Sequence, residues 1–195
     1  QLEKSGYQNA MVIGHPVWEQ ALNAAKNTES KRKIIFTSQP ISELPGLESI
    51  GCDEKKTWAF LNAFREKYPE YIEDLIYSPH PSQKHLPQSF TAGTRLLKAN
   101  EDPTACAGIQ ISMYAALSIE GFLRGQRIIS LQPSLRGKNR CFLSLVGFIP
   151  LITDENIDSL KKALDEEQKH SAEIDLFRNS FVGSLARFES ALTAQ

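Results

Sequence analysis

Short, unbroken apolar runs alternate with helical periodicity along this chain, and that alternation limits the possible folds more than any other feature. Lys33-Ile34-Ile35-Phe36-Thr37, Asp74-Leu75-Ile76-Tyr77 and Arg127–Leu131 are of strand length and lack polar alternation. That is the pattern of strands buried on both faces, as in parallel sheets. Between them, apolar residues recur at helical spacing. Val17, Trp18, Ala21, Leu22 and Ala25 follow Pro16, through about Lys26. Trp58, Leu61 and Phe64 mark a helix over 54–67, with Asp53 as N-cap and Pro69 as stop. A third helix spans 113–124 and ends at Gly125.

Shorter strand-like stretches stand at 11–13, 94–98, 104–109 and within 142–151. A helix is expected from Asp154 to about Glu167. Over 170–192, Ile174, Phe177, Phe181, Leu185, Phe188 and Leu192 recur every three or four residues, which predicts a long amphipathic C-terminal helix. Repeated strand–helix alternation dictates βαβ units with right-handed crossovers. The expected fold is a doubly wound parallel α/β sheet, Rossmann-like, as a single domain over 1–195.

With 195 residues, 41% of them apolar, the chain can build one core without disulfide or metal staples. Its 22 Lys and Arg against 23 Asp and Glu argue against a dominant electrostatic nucleic-acid footprint. Cys52, Cys106 and Cys141 lie far apart with no CxxC pair, which suits a reducing compartment and offers no metal spacing. No apolar run of about 18 residues exists, so no transmembrane segment is expected. GxGxxG, GxxxxGK[ST], GxSxG and HExxH are all absent. The start, Gln1-Leu2-Glu3-Lys4-Ser5-Gly6, reads as the last turn of a helix and suggests a chain entered mid-fold, with an N-terminal partner domain missing.

In open α/β sheets ligands sit beyond the carboxyl ends of the strands. Here those loops are 14–16, 37–46, 78–85, 109–113 and 132–140. Gly14-His15-Pro16 makes a tight turn into a helix whose free N–H groups suit an anion. In Ser78-Pro79-His80-Pro81 a rigidly held His80 faces the same edge, with His85 close behind. Gln110 and Ser112, the latter as N-cap, could hold a phosphate, and Glu120 could accept ribose hydroxyls. Gln132 closes the next strand, followed by the cationic Arg136, Lys138 and Arg140. Each feature has a plainer counterpart: a strand-to-helix turn, a loop histidine with a structural hydrogen bond, an exposed helical carboxylate, a solvated basic loop.

Taken in order, Gly14-His15-Pro16 with Trp18 and Glu19, Pro79-His80-Pro81, Ser112-Met113, Glu120, Gly125 and Ile128-Ile129-Ser130-Leu131-Gln132-Pro133 resemble the C-terminal half of GT-B glycosyltransferases. Pro79-His80-Pro81 resembles the HP motif found in bacterial sialyltransferases and in UDP-N-acetylglucosamine 2-epimerase-like proteins, and the likeness to the GT-B half runs over about residues 10–165. The resemblance implies a domain binding a CMP-, CDP- or UDP-sugar donor, in surface polysaccharide or glycolipid synthesis. His80 would contact the donor phosphate or nucleotide, Ser112 the phosphate and Glu120 the ribose. It further implies metal-independent transfer, an N-terminal acceptor-binding domain, and a cytoplasmic location, free or peripheral to the inner membrane. Ala115 stands where that pattern has a hydroxyl, which favours a second reading, a binding or scaffold module with a degenerate site. A third is a sugar-nucleotide epimerase or hydrolase, for which Glu43, Glu48 and Asp53 are the nearby acids.

Overall fold

A computed structural model describes residues 15–87, 90, 93–167 and 171–193. It divides into a smaller unit built from the chain ends, Gln1–Ala24 with His170–Gln195, and a larger one, Ala25–Lys169. The helices are α1 (Pro16–Asn23), α2 (Glu54–Lys67), α3 (Leu117–Leu123), α4 (Phe142–Leu145), α5 (Ile157–Asp165), α6 (Ala172–Asn179) and α7 (Ser184–Thr193). The strands are β1 (Lys33–Thr37), β2 (Asp74–Ser78), β3 (Thr94–Leu96), β4 (Ile109–Ser112), β5 (Arg127–Leu131) and β6 (Leu151–Ile152).

In the larger unit all strand pairs are parallel, in the order β3-β2-β1-β4-β5-β6. The expected doubly wound α/β sheet is what forms. Alternation within each strand sends Ile34, Phe36, Leu75, Tyr77, Ile109, Ile111, Ile129 and Leu131 into one core with Trp58, Phe60, Leu61 and Phe64 of α2 and Leu160 and Ala163 of α5. Residues of the other parity, including Ile35 and Ile76, pack with Ala107. The Asp53 carboxylate accepts the Lys56 N–H at 2.8 Å, so the predicted cap of α2 forms.

Other boundaries differ. The strand expected at 104–109 lies at 109–112, and the helix expected from 113 starts at Leu117. Asp102 explains the first shift, because its backbone and side chain bind the N–H groups of Thr104, Ala105 and Cys106 in a turn. The 142–151 stretch is mostly a single helical turn, α4, and only Leu151–Ile152 pair with the sheet. Asp154 does not begin its helix directly. Its carboxylate holds the N–H of Asn156, which is the N-cap of α5. The expected strand at 11–13 lies outside the described residues.

In the smaller unit the C-terminal helical segment is bent, with α6 and α7 joined by a turn that ends at Gly183 (φ 77°). Trp18 meets Phe181 edge-on at 5.2 Å, and Phe181 meets Phe177 at 5.1 Å. The Glu19 carboxylate accepts the N–H groups of Gly183 (2.5 Å) and Leu185 (2.6 Å), satisfying the open first turn of α7. Those N–H groups, that of Leu185 foremost, hold the Glu19 carboxyl below its ordinary range.

Candidate functional site

The strand order reverses between β1 and β4, so the carboxyl edge at that point is where a ligand crevice is expected. What stands there is a row of hydroxyls. Thr37 pairs with Ser78 on one side and Ser112 on the other, and Ser112 pairs with Ser130. All of them are buried. One pleat back, Gln110 Nε2 donates to Thr37 Oγ1 at 2.9 Å and to Ser118 Oγ at 3.3 Å, while the Ser112 and Ser118 hydroxyls bond at 2.7 Å. Ser130 Oγ donates to the Met113 carbonyl, and Gln132 Nε2 bonds the same carbonyl at 3.0 Å and Asn139 Oδ1 at 2.8 Å.

Gln110, Ser112 and Gln132 are therefore wholly enclosed, with their donors used by the protein itself. Ser112 is not a helix cap. It ends β4, and α3 begins after Ala116, whose side chain has nothing to donate or accept. The crevice is filled by Ile41, Ile50, Cys52 and Met113, with Leu47, Tyr114 and Leu135 against them. Gly51 (φ 85°) allows this closure, since a Cβ there would sit 2.3 Å from the Ser134 carbonyl oxygen. Arg136, Lys138 and Arg140 stay exposed. Glu120 lies in the first turn of α3 and is partly buried. His15 belongs to the smaller unit, where its ring stacks on Trp18 at 3.9 Å. Gly14 lies outside the described residues.

On the sheet's apolar side the carboxyl edge is open. A cleft of ≈ 800 Å³ runs between α2 and residues 83–87. Glu54, Trp58 and Asn62, four residues apart, form its helical wall. Tyr77, near the end of β2, and Gln83, Lys84, His85, Leu86 and Pro87 complete it. The Tyr77 hydroxyl donates to Ser38 Oγ and accepts from Gln83 Nε2, each at 2.8 Å. Burial foremost pushes the Tyr77 phenol up, so it stays protonated and keeps its donor role. The Glu54 carboxylate, itself enclosed, accepts the Ser42 N–H at 3.0 Å and the Ser42 hydroxyl.

Glu43 ties the far wall to the segment after β1. Its carboxylate accepts the N–H groups of Lys84 (2.9 Å) and His85 (2.8 Å) and lies 3.3 Å from His85 Nδ1. The Lys84 N–H foremost, helped by those of His85, holds the Glu43 carboxyl below the ordinary range against a desolvation that opposes it. His80 is exposed at the start of the same loop. Its Nδ1 accepts the Ser82 N–H at 3.2 Å and contacts Ser82 Oγ at 2.8 Å, which leaves Nε2 to carry the proton of the neutral ring.

The structure thus separates the residues singled out in the sequence. His80 and His85 share the loop that walls the cleft, Gln110, Ser112 and Gln132 are sealed in the sheet edge, and Asp53 is a helix cap. Tyr77, Gln83 and Glu54 carry no sequence signal beyond their types. The one available hint is a tyrosine at the end of an otherwise aliphatic strand. Among the described residues no group of His, Cys, Asp and Glu is arranged to hold a metal ion, and no helix is long and apolar enough to cross a membrane.

No family model matches the chain, and no curated protein matches it. Among solved structures it is similar to Thermosulfurimonas dismutans KpsC, a beta Kdo 2,4 transferase, at 14% identity and a TM-score of 0.41. That alignment takes in 60% of this chain and 44% of the other.

Proposed function

We propose that this chain is the donor-binding half of a glycosyltransferase and holds a nucleotide-activated sugar at the carboxyl edge of its sheet. The observation that carries the reading is the cleft beside β2. Its ≈ 800 Å³ falls within the range of small-molecule sites, and its wall is the loop that continues from Pro79-His80-Pro81. Leu86, Pro87 and Trp58 supply apolar surface for a base, while Lys84 supplies positive charge for phosphate and His80, at the start of the same loop, a hydrogen-bond donor. The sugar acceptor would come from a further domain, as the sequence resemblance implies.

The test is thermal denaturation with CMP, CDP and UDP. A nucleotide at about a hundredfold over its Kd stabilises by about 2.7 kcal/mol. The rise in Tm is expected to shrink in His80→Ala and Lys84→Ala. No rise with any of the three nucleotides would sink the reading.

A second reading, a module that keeps the fold without donor chemistry, draws on the sealed edge at β1 and β4. There the groups expected to cradle phosphate are bonded inward and the crevice is filled by Ile41, Ile50 and Met113. Binding of none of the nucleotides, together with a stable fold, is the outcome that favours it.

A further inference from the structure

We propose that Glu43 and His85 form a carboxylate–imidazole dyad that serves the cleft as its proton-transfer group, a role that rests on the donor-binding reading above. The geometry is that of an oriented base. The Glu43 side chain is 12% exposed and is pinned by the N–H groups of Lys84 and His85, whereas the side chain of His85, a residue of the cleft wall, is 76% exposed. Nδ1 faces a carboxylate oxygen at 3.3 Å, so that nitrogen carries the proton. Nε2 is left with a lone pair, in the tautomer a general base requires. Glu43 is a positioning residue. It selects the tautomer and stabilises the imidazolium once formed, and His85 touches the reacting group.

The substrate class is a hydroxyl nucleophile attacking an activated sugar. With water as nucleophile, the water oxygen bonds to the anomeric carbon. The bond from that carbon to the phosphate oxygen breaks, and its electron pair leaves with the nucleotide. The water proton passes to His85 Nε2 and then to solvent. The other ionisable groups that line the cleft are Lys84, Glu54 and Lys55 from α2, and Tyr77 from β2. Glu54 is bonded to Ser42 and Tyr77 to Ser38, so neither competes as the base.

The experiment follows nucleotide release from CMP-N-acetylneuraminate and UDP-N-acetylglucosamine between about pH 5.5 and about 8.5, the range in which imidazole titrates. Binding of CMP and UDP is measured in parallel by thermal shift. Release by the unaltered protein should rise with pH. His85→Gln, at an exposed position that leaves the fold intact, should lower it about tenfold or more. Glu43→Gln keeps an acceptor for the N–H groups of Lys84 and His85 and so preserves the cleft wall. It should lower the kcat of release about tenfold with KM unchanged, because the imidazole loses the carboxylate that orients it. Neither variant should alter the nucleotide-induced rise in Tm. Binding without release, release indifferent to His85→Gln, or an unchanged kcat in Glu43→Gln overturns the dyad and leaves the donor-binding reading standing. Absence of both binding and release overturns that reading and the dyad's role with it.

Discussion

Gln110 reaches across the sheet to Thr37, its Nε2 donating to the threonine hydroxyl at 2.9 Å between two neighbouring parallel strands. This bond closes the polar edge of the sheet upon itself. An amide and hydroxyls placed at the switch point could serve a phosphate, but here they serve each other. The open chemistry lies one strand over, in the cleft beside β2.

Removing that network should weaken the fold. Gln110→Ala leaves the Thr37 and Ser118 hydroxyls without this partner and opens a void, at a cost of about 2–4 kcal/mol. Ser112→Ala loses a single buried hydroxyl pair, at about 1 kcal/mol. Urea denaturation reads both. Unchanged midpoints would show that the edge does not depend on these bonds.

Two glycines of α3 and its end fail for different reasons. A Cβ on Gly121 would stand 2.3 Å from Gln126 Oε1 and 2.6 Å from Gln110 Oε1, inside a buried contact. Gly121→Ala should cost about 1–3 kcal/mol through overpacking. Gly125 has open space around it but sits at φ +83°, so Gly125→Ala should cost about 1–2 kcal/mol through backbone strain alone. A second-site Gln126→Ala should recover part of the first loss, measured as Tm, and none of the second.

Arg127 caps a helix that is remote in sequence. Its guanidinium donates to the Leu164 carbonyl at 2.9 Å and to those of Ala163 and Glu166, at the C-terminus of α5. Arg127→Met keeps the stem and removes the donors. It should destabilise by about 1.5–3 kcal/mol, with faster amide exchange confined to α5.

Acid should unfold the larger unit through Asp102. Burial alone would raise its carboxyl, but the hydroxyl and N–H of Thr104 and the Arg124 guanidinium outweigh it and hold the group below its ordinary value of 3.8. The folded carboxyl is depressed, so the unfolded chain binds more protons. Its contribution is therefore complete above the ordinary aspartate range and is lost as pH falls through the lower folded value. Urea midpoints should drop from about pH 5 downward, and Asp102→Asn should flatten that drop.

The thiols should be slow to react. Burial pushes Cys106 up to about 11, and Cys52 and Cys141 are enclosed. Alkylation at about pH 8 should run at least tenfold slower in the folded protein than in urea, where every cysteine is open.

Local signals carried the strands Lys33–Thr37 and Arg127–Leu131, the Asp53 cap and the Gly125 stop, because apolar periodicity, a capping oxygen and a positive-φ glycine act within a few residues of themselves. From these followed the parallel α/β sheet. By sequence alone Gln110 and Ser112 read as the start of a helix, because polar residues rarely end a buried strand. They are tolerated only because Thr37, Ser118 and Ser130, far off or in other elements, supply their neighbours. The pairing of Glu43 with His85 and the cleft between α2 and the 83–87 wall likewise have no local trace. Strand order and loop docking bring those groups together, and both are settled by burial and hydrogen bonding over long sequence separations.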